Sequence, residues 1–101
     1  MTDEREKKLS PVHPGEVLLE EFLEPMNLSQ SKLALAMRVH PRRINEIVLK
    51  KRGITADTAL RLAKVLNTSP QFWMGLQSQY DLDVAEDELG IQLDRELLSL
   101  R

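Results

Sequence analysis

The sequence predicts an all-α domain of five helices followed by a short C-terminal helical tail. Apolar residues recur every three or four positions over most of the chain, which is the spacing of one face of an α-helix. No segment alternates apolar and polar residues as a half-exposed β-strand does, and 101 residues suit a single domain. Four of the predicted helices also begin at a Ser, Thr or His that can serve as an N-cap: Ser29, His40, Thr55 and Ser69.

The first two helices are short. An i, i+4 repeat of apolar residues runs up to Pro25 and predicts helix one over about 15–25. Ser29 caps the next apolar stripe, which predicts helix two over about 30–37.

Helix three is predicted over about 41–50. His40 stands at the cap position and Pro41 at the first helical position, where its missing N–H costs no hydrogen bond. Ile44 and Ile47 are three residues apart, so both face the core. The remaining residues of this helix therefore lie on its outer and flanking faces.

Two more helices and a tail complete the chain. Thr55 caps helix four, and Asn67 ends it because asparagine tolerates a left-handed backbone. Pro70 begins helix five, whose apolar stripe continues to Tyr80. The acidic tail that follows is predicted to be a weaker helix that is broken near Gly90.

The net charge of −2 conceals a strong asymmetry along the chain. Residues 29–64 hold nine Lys and Arg against two acids, a net charge of +7. Residues 1–28 hold three bases against seven acids, and residues 65–101 two against seven, so their net charges are −4 and −5. This pattern indicates a face that binds a polyanion; the alternative is a chance clustering of solvated side chains.

The helices at 30–37 and 41–50 are separated by three residues and must cross steeply. This is the geometry of a helix-turn-helix, in which the second helix enters a groove of DNA. A tight amphipathic hairpin with solvated arginines is the alternative. We expect three parts: a mobile N-terminal arm at 1–12, the helix-turn-helix domain at 13–82 and an acidic C-terminal helical tail at 83–101.

Helix three and its ends carry the predicted DNA contacts. Arg42 and Arg43 match the acceptors of guanine, and Asn45 matches adenine. Glu46 can accept a hydrogen bond from cytosine, and the basic residues at 50–52 suit backbone phosphates. The full predicted DNA-binding set, with the residues at the start of helix two and in the turn, is Gln30, Arg38, His40, Arg42, Arg43, Asn45, Glu46, Lys50, Lys51 and Arg52.

Three segments carry a family resemblance: HPGEVLLEEFLEP, LSQSKLALAMRVHPRRINEIVLKKRGITADTALRLAKVLNTSP and QFWMGLQSQYDL. In this order they resemble the HigA-type antitoxins, also called virulence-associated protein I-like, of the phage-repressor helix-turn-helix superfamily. The resemblance covers 13–82 and implies a compact five-helix, lambda-repressor-like domain that binds double-stranded operator DNA as a homodimer. It also implies neutralisation of a basic RelE-like, mRNA-cleaving toxin of the HigB type and repression of the protein's own operon.

Three residues depart from the family pattern. Arg38 stands where the turn has glycine, so we expect either a different turn or a contact of Arg38 with DNA. Pro41 replaces a polar residue that often contacts a base, so that contact is expected to be absent. Gly75 replaces an asparagine within helix five at a cost of about 1 kcal/mol relative to alanine.

Two surfaces have alternative interpretations. Trp73, Leu76 and Tyr80 form part of the apolar stripe of helix five, which belongs either to the core or to a two-fold dimer interface. The acidic residues of helix one and of the start of the tail form either a solvated face or a surface that meets the basic toxin.

Enzymatic chemistry, cofactors and metal sites are not predicted. The chain has no cysteine, and His13 and His40 lack the spacing of metal ligands. The first ten residues do not form a signal peptide, and the longest apolar run is too short to span a membrane. We therefore expect a soluble, DNA-associated protein of the bacterial cytoplasm.

Two alternative functions remain beside the antitoxin. One is a stand-alone helix-turn-helix transcriptional repressor without a toxin partner. The other is a protein-interaction module that neutralises a partner and binds DNA weakly or not at all.

Overall fold

The structure of the protein is a computed structural model that describes residues 10–101. These residues form five helices and no strand, which confirms the predicted fold class. The helices are α1 (Pro14–Val17, which continues as a π-helix over Leu18–Leu23), α2 (Gln30–Met37), α3 (Pro41–Val48), α4 (Ala56–Leu66) and α5 (Pro70–Glu96). The predicted mobile arm at 1–12 lies outside the described residues except for its last three.

The predicted N-caps are confirmed. The Ser29 hydroxyl accepts a hydrogen bond from the Lys32 N–H at 3.0 Å, and the Ser69 hydroxyl accepts one from the Phe72 N–H at 3.0 Å. His40 uses its ring instead: Nδ1 accepts from the Arg42 N–H at 3.0 Å. Each cap satisfies a backbone donor that the first turn of its helix leaves unpaired.

The helix ends use left-handed residues other than glycine. Arg38 ends α2 with φ 58° and ψ 45°, so the expected turn is formed with arginine in the place of glycine. Asn67 ends α4 in the same conformation, as predicted. Asparagine adopts this backbone at low cost, whereas arginine does so under mild strain.

The predicted break near Gly90 is wrong, because α5 is one continuous helix over Pro70–Glu96. Gly90 lies inside it, and the Glu86 carboxylate covers the space that a Cβ of Gly90 would occupy. Hydrogen bonds from glutamines to acids one turn later add support, at Gln77–Asp81, Gln79–Asp83 and Gln92–Glu96. One glycine costs about 1 kcal/mol and does not end a helix of this length.

The core joins all five helices around Trp73 and Leu18, both completely buried. Gly15 brings α1 against the end of α3, since a Cβ at this position would overlap the Ile47 carbonyl oxygen. This close approach fixes where α3 leaves the body of the domain. Within residues 10–101 no helix is both long enough and apolar enough to cross a bilayer.

Candidate nucleic-acid interface

The α2–α3 pair forms the predicted helix-turn-helix. Ala34 of α2 is completely buried, and its small side chain allows α3 to pack closely. Ile44 and Ile47 are also completely buried, so they anchor α3 to the core. The opposite face of α3 is therefore the face that projects from the domain.

Arg42 and Asn45 lie on this outer face, and both are exposed. The Arg42 side chain makes no ion pair or hydrogen bond with any residue in 10–101. The Asn45 amide donates to the Gln30 side-chain carbonyl at 3.3 Å, which links α3 to the first turn of α2. The structure thus brings three predicted contact residues onto one surface and leaves the Arg42 guanidinium available to a ligand.

Arg43 points away from this surface. Its guanidinium forms an ion pair with Asp57 of α4 and reaches the Thr58 hydroxyl at 3.4 Å. Hydrogen bonds from Arg43 and then from Arg61 lower the pKa of the Asp57 carboxyl. Arg43 is therefore held against α4, which sets it apart from Arg42 in the predicted base-reading set.

Arg61 extends the same network to the turn. Its Nε lies 3.0 Å from the Asp57 carboxylate, and its Nη1 donates to the Met37 carbonyl at 2.8 Å. One carboxylate therefore ties α4 both to α3 and to the carboxyl end of α2. Sequence reasoning missed Asp57 and Arg61 as positioning residues; their i, i+4 spacing on α4 was the available signal.

The basic cluster after α3 is partly neutralised. Arg52 pairs with Glu46, with its Nη2 at 2.9 Å and its Nε at 3.0 Å from the same carboxylate oxygen. Lys50 pairs with Glu16 of α1 at 2.9 Å. The hydrogen bond between them raises the pKa of Lys50 and lowers that of Glu16. Lys51 is exposed and forms no ion pair within the described chain.

A shallow cleft next to α3 is lined by four of the predicted residues: His40, Arg42, Arg43 and Arg52. Arg38 lies exposed at the end of α2. A surface of clustered guanidinium groups with Glu46 as the acid among them is suited to phosphates, which bind Arg by charge-assisted hydrogen bonds.

The predicted dimer residues divide into two kinds. Trp73 is completely buried, its indole N–H donates to the Thr68 hydroxyl at 2.7 Å, and its ring lies 5.2 Å from Phe22. It belongs to the core, so it offers no surface to a partner chain. Leu76 is half-buried, and Tyr80 is half-buried with an edge contact of 4.8 Å to His13.

The fold and this surface together define a helix-turn-helix protein with a cation-rich second helix. The helix-turn-helix family model matches residues 19–73. The chain is 52% identical over 81 residues to virulence-associated protein I of Dichelobacter nodosus, covering 80% of this chain and 75% of that protein. It is 40% identical over 78 residues to antitoxin HigA-1 of Vibrio cholerae, covering 77% and 73%.

Among solved structures, the chain is similar to the Pseudomonas aeruginosa antitoxin HigA with the higBA promoter. The TM-score is 0.87 at 45% identity, over 90% of this chain and 99% of that one. The chain belongs to the helix-turn-helix family and, within it, to the HigA-type antitoxins and virulence-associated protein I.

Proposed function

We propose that the chain is the antitoxin of a type II toxin–antitoxin pair. It represses its own operon by binding operator DNA, and it neutralises a basic, mRNA-cleaving toxin of the HigB type. The observation that carries the DNA-binding half is the exposed Arg42 guanidinium on the outer face of α3, beside the Asn45–Gln30 hydrogen bond. The Pseudomonas aeruginosa relative solved with its promoter supports the same interpretation.

The contacts differ in role. Arg42 reads guanine O6 and N7, and Asn45, oriented by Gln30, reads adenine N6 and N7. Arg43 and Glu46 reach bases only after exchanging Asp57 and Arg52 for them. Phosphate contacts, which position the protein without reading sequence, come from Arg38, His40, Lys50, Lys51 and Arg52.

The chain binds its operator as a homodimer. A second copy places two recognition helices about 34 Å apart, one turn of the duplex, so that both enter the major groove on the same side. Leu76 and Tyr80 retain some exposed surface and stay candidates for this interface, together with whatever surrounds them on α5. Light scattering at tens of micromolar protein tests this; a strict monomer contradicts it.

Operator binding is tested with Arg42→Ala on duplexes from the region upstream of the chain's own gene and on random duplexes. We expect Arg42→Ala to cost about 1–3 kcal/mol on the operator and to relax specificity at one base pair. Lys51→Ala weakens binding to all duplexes alike and lowers the salt slope by about one. Lys64→Ala, in the last turn of α4, removes the same charge away from α3 and serves as the control. Equal losses on operator and random duplex for Arg42→Ala contradict the assignment.

Toxin neutralisation is tested with the basic protein encoded beside the chain's gene in its native host. We expect the two proteins to co-purify and co-expression to restore growth that the toxin alone arrests. A chain that binds its operator but neither retains nor neutralises this protein is a stand-alone repressor. A chain that retains it and does not discriminate its operator from random duplex is an interaction module.

A further inference from the structure

The carboxyl-terminal half of α5 extends beyond the core. The 27 residues of this helix span about 40 Å. The radius of gyration is 16.7 Å, whereas a compact chain of this length has about 13 Å. Every residue over 85–96 is exposed except Gly90, which is covered by Glu86 of the same helix. This part of α5 therefore has no partner in the domain along most of its surface.

Three exposed leucines align on one side of this segment, and we refer to them as the leucine stripe: Leu82, Leu89 and Leu93. Their spacing of seven and four residues places them on one face of a helix. Leu82 follows the buried Trp73 by nine residues, which is a half-turn out of phase, so the stripe faces away from the core. Leu82 is 62% exposed, and the other two are 44% and 41% exposed. An aligned apolar stripe of this kind is typical of an interaction surface.

The charge around the stripe selects the kind of partner. Residues 81–96 hold seven acids against Arg95 alone, a net charge of −6. A second copy of the chain would bring two such helices together, which like charges oppose. A basic protein instead offers lysines and arginines to the acids at the rim of an apolar contact.

The acids of α1 form a poorer surface. Glu16 is already paired with Lys50. The leucines at both ends of the π-helical segment, Leu18 and Leu23, are buried, so no leucine stripe accompanies the exposed glutamates there.

We infer that the leucine stripe and the acids beside it are the surface by which the chain binds a basic protein. The helix inserts into an apolar groove of that partner, as amphipathic helices do, with the stripe as its anchor. The inference rests on the proposed function in one respect, since it identifies that partner with the toxin.

The test compares two double variants of the full chain for binding to the purified toxin encoded beside its gene. Leu82→Ala/Leu89→Ala removes two stripe residues. Ile91→Ala/Leu98→Ala removes two equally exposed aliphatic side chains from the same end of the chain but off the stripe. We expect the first to raise the Kd on the order of 30-fold and the second to change it less than about 3-fold. Raised ionic strength slows association of the wild-type chain. Operator binding and helix content stay unchanged in both variants, because neither touches the core.

The outcomes separate this inference from the function on which it rests. Wild-type binding that both variants retain in full overturns the stripe and leaves the antitoxin role intact. A wild-type chain that does not bind the toxin overturns both. A stripe variant that turns a dimer of the chain into a monomer identifies a second copy as the occupant and overturns the inference as well.

Discussion

Replacing Arg38 by glycine will stabilise the fold and weaken binding to DNA. Arg38 ends α2 with φ 58° and ψ 45°, and this conformation lets the Val39 N–H reach the Ala34 carbonyl at 3.0 Å. The left-handed backbone costs a residue with a Cβ roughly 1–2 kcal/mol. Glycine removes that cost but gains freedom in the unfolded chain worth about 0.4–1 kcal/mol. The expected net gain is about 0.5–1 kcal/mol, or roughly 2–6 °C in Tm.

The matched control is Arg38→Ala, which removes the same guanidinium and keeps the Cβ. Urea unfolding followed by the fluorescence of Trp73, the single tryptophan, measures the difference at constant m. Both variants lose one cation near the proposed DNA surface, so both lower the salt slope of operator affinity by about one. A glycine variant no more stable than the alanine variant would refute the assigned strain.

Further predictions concern a close contact, a buried hydrogen bond and a titrating cap. Gly15→Ala, where a methyl group overlaps the backbone of α3, destabilises by about 1–3 kcal/mol or more, whereas Gly75→Ala, which meets nothing within 4 Å, stabilises by up to about 1 kcal/mol; thermal unfolding measures both. Thr68→Val leaves the Trp73 indole N–H unpaired and costs about 1–3 kcal/mol in urea unfolding, while Thr68→Ser keeps the acceptor. Burial lowers the pKa of His13, so its contribution to stability is full above the ordinary histidine pKa and is lost as the pH falls below it. His13→Asn keeps a capping acceptor and should lessen the loss of stability between about pH 7.5 and about 5.5; an unchanged pH profile contradicts this.

The helix positions were predictable because their signals are local. Ser29 caps a donor three residues ahead, and His40 caps one two residues ahead, so both can be recognised from the sequence alone. The periodic Ile44 and Ile47 likewise identify the buried face of α3. A cap and a stripe together set both the start and the orientation of a helix, and they do not depend on the rest of the fold.

The ion pairs were not predictable, because they depend on how helices pack. Arg43 and Asp57 are 14 residues apart, and only the crossing of α3 and α4 brings them together. From sequence Arg43 and Arg42 are equivalent neighbours, yet the structure gives them different surroundings. Gly90 shows the converse: a local breaker signal was outweighed by the helix on either side of it.

The paired cations have a consequence for how the protein would travel along a chromosome. Of the nine Lys and Arg in 29–64, four already have a carboxylate beside them: Arg43, Lys50, Arg52 and Arg61. A cation that arrives with its own counterion displaces fewer condensed ions from the duplex, and ion release is what holds proteins on arbitrary sequence. The built-in acids therefore shorten each stop on unrelated DNA, so that fewer molecules are needed to find one operator among the many wrong sites.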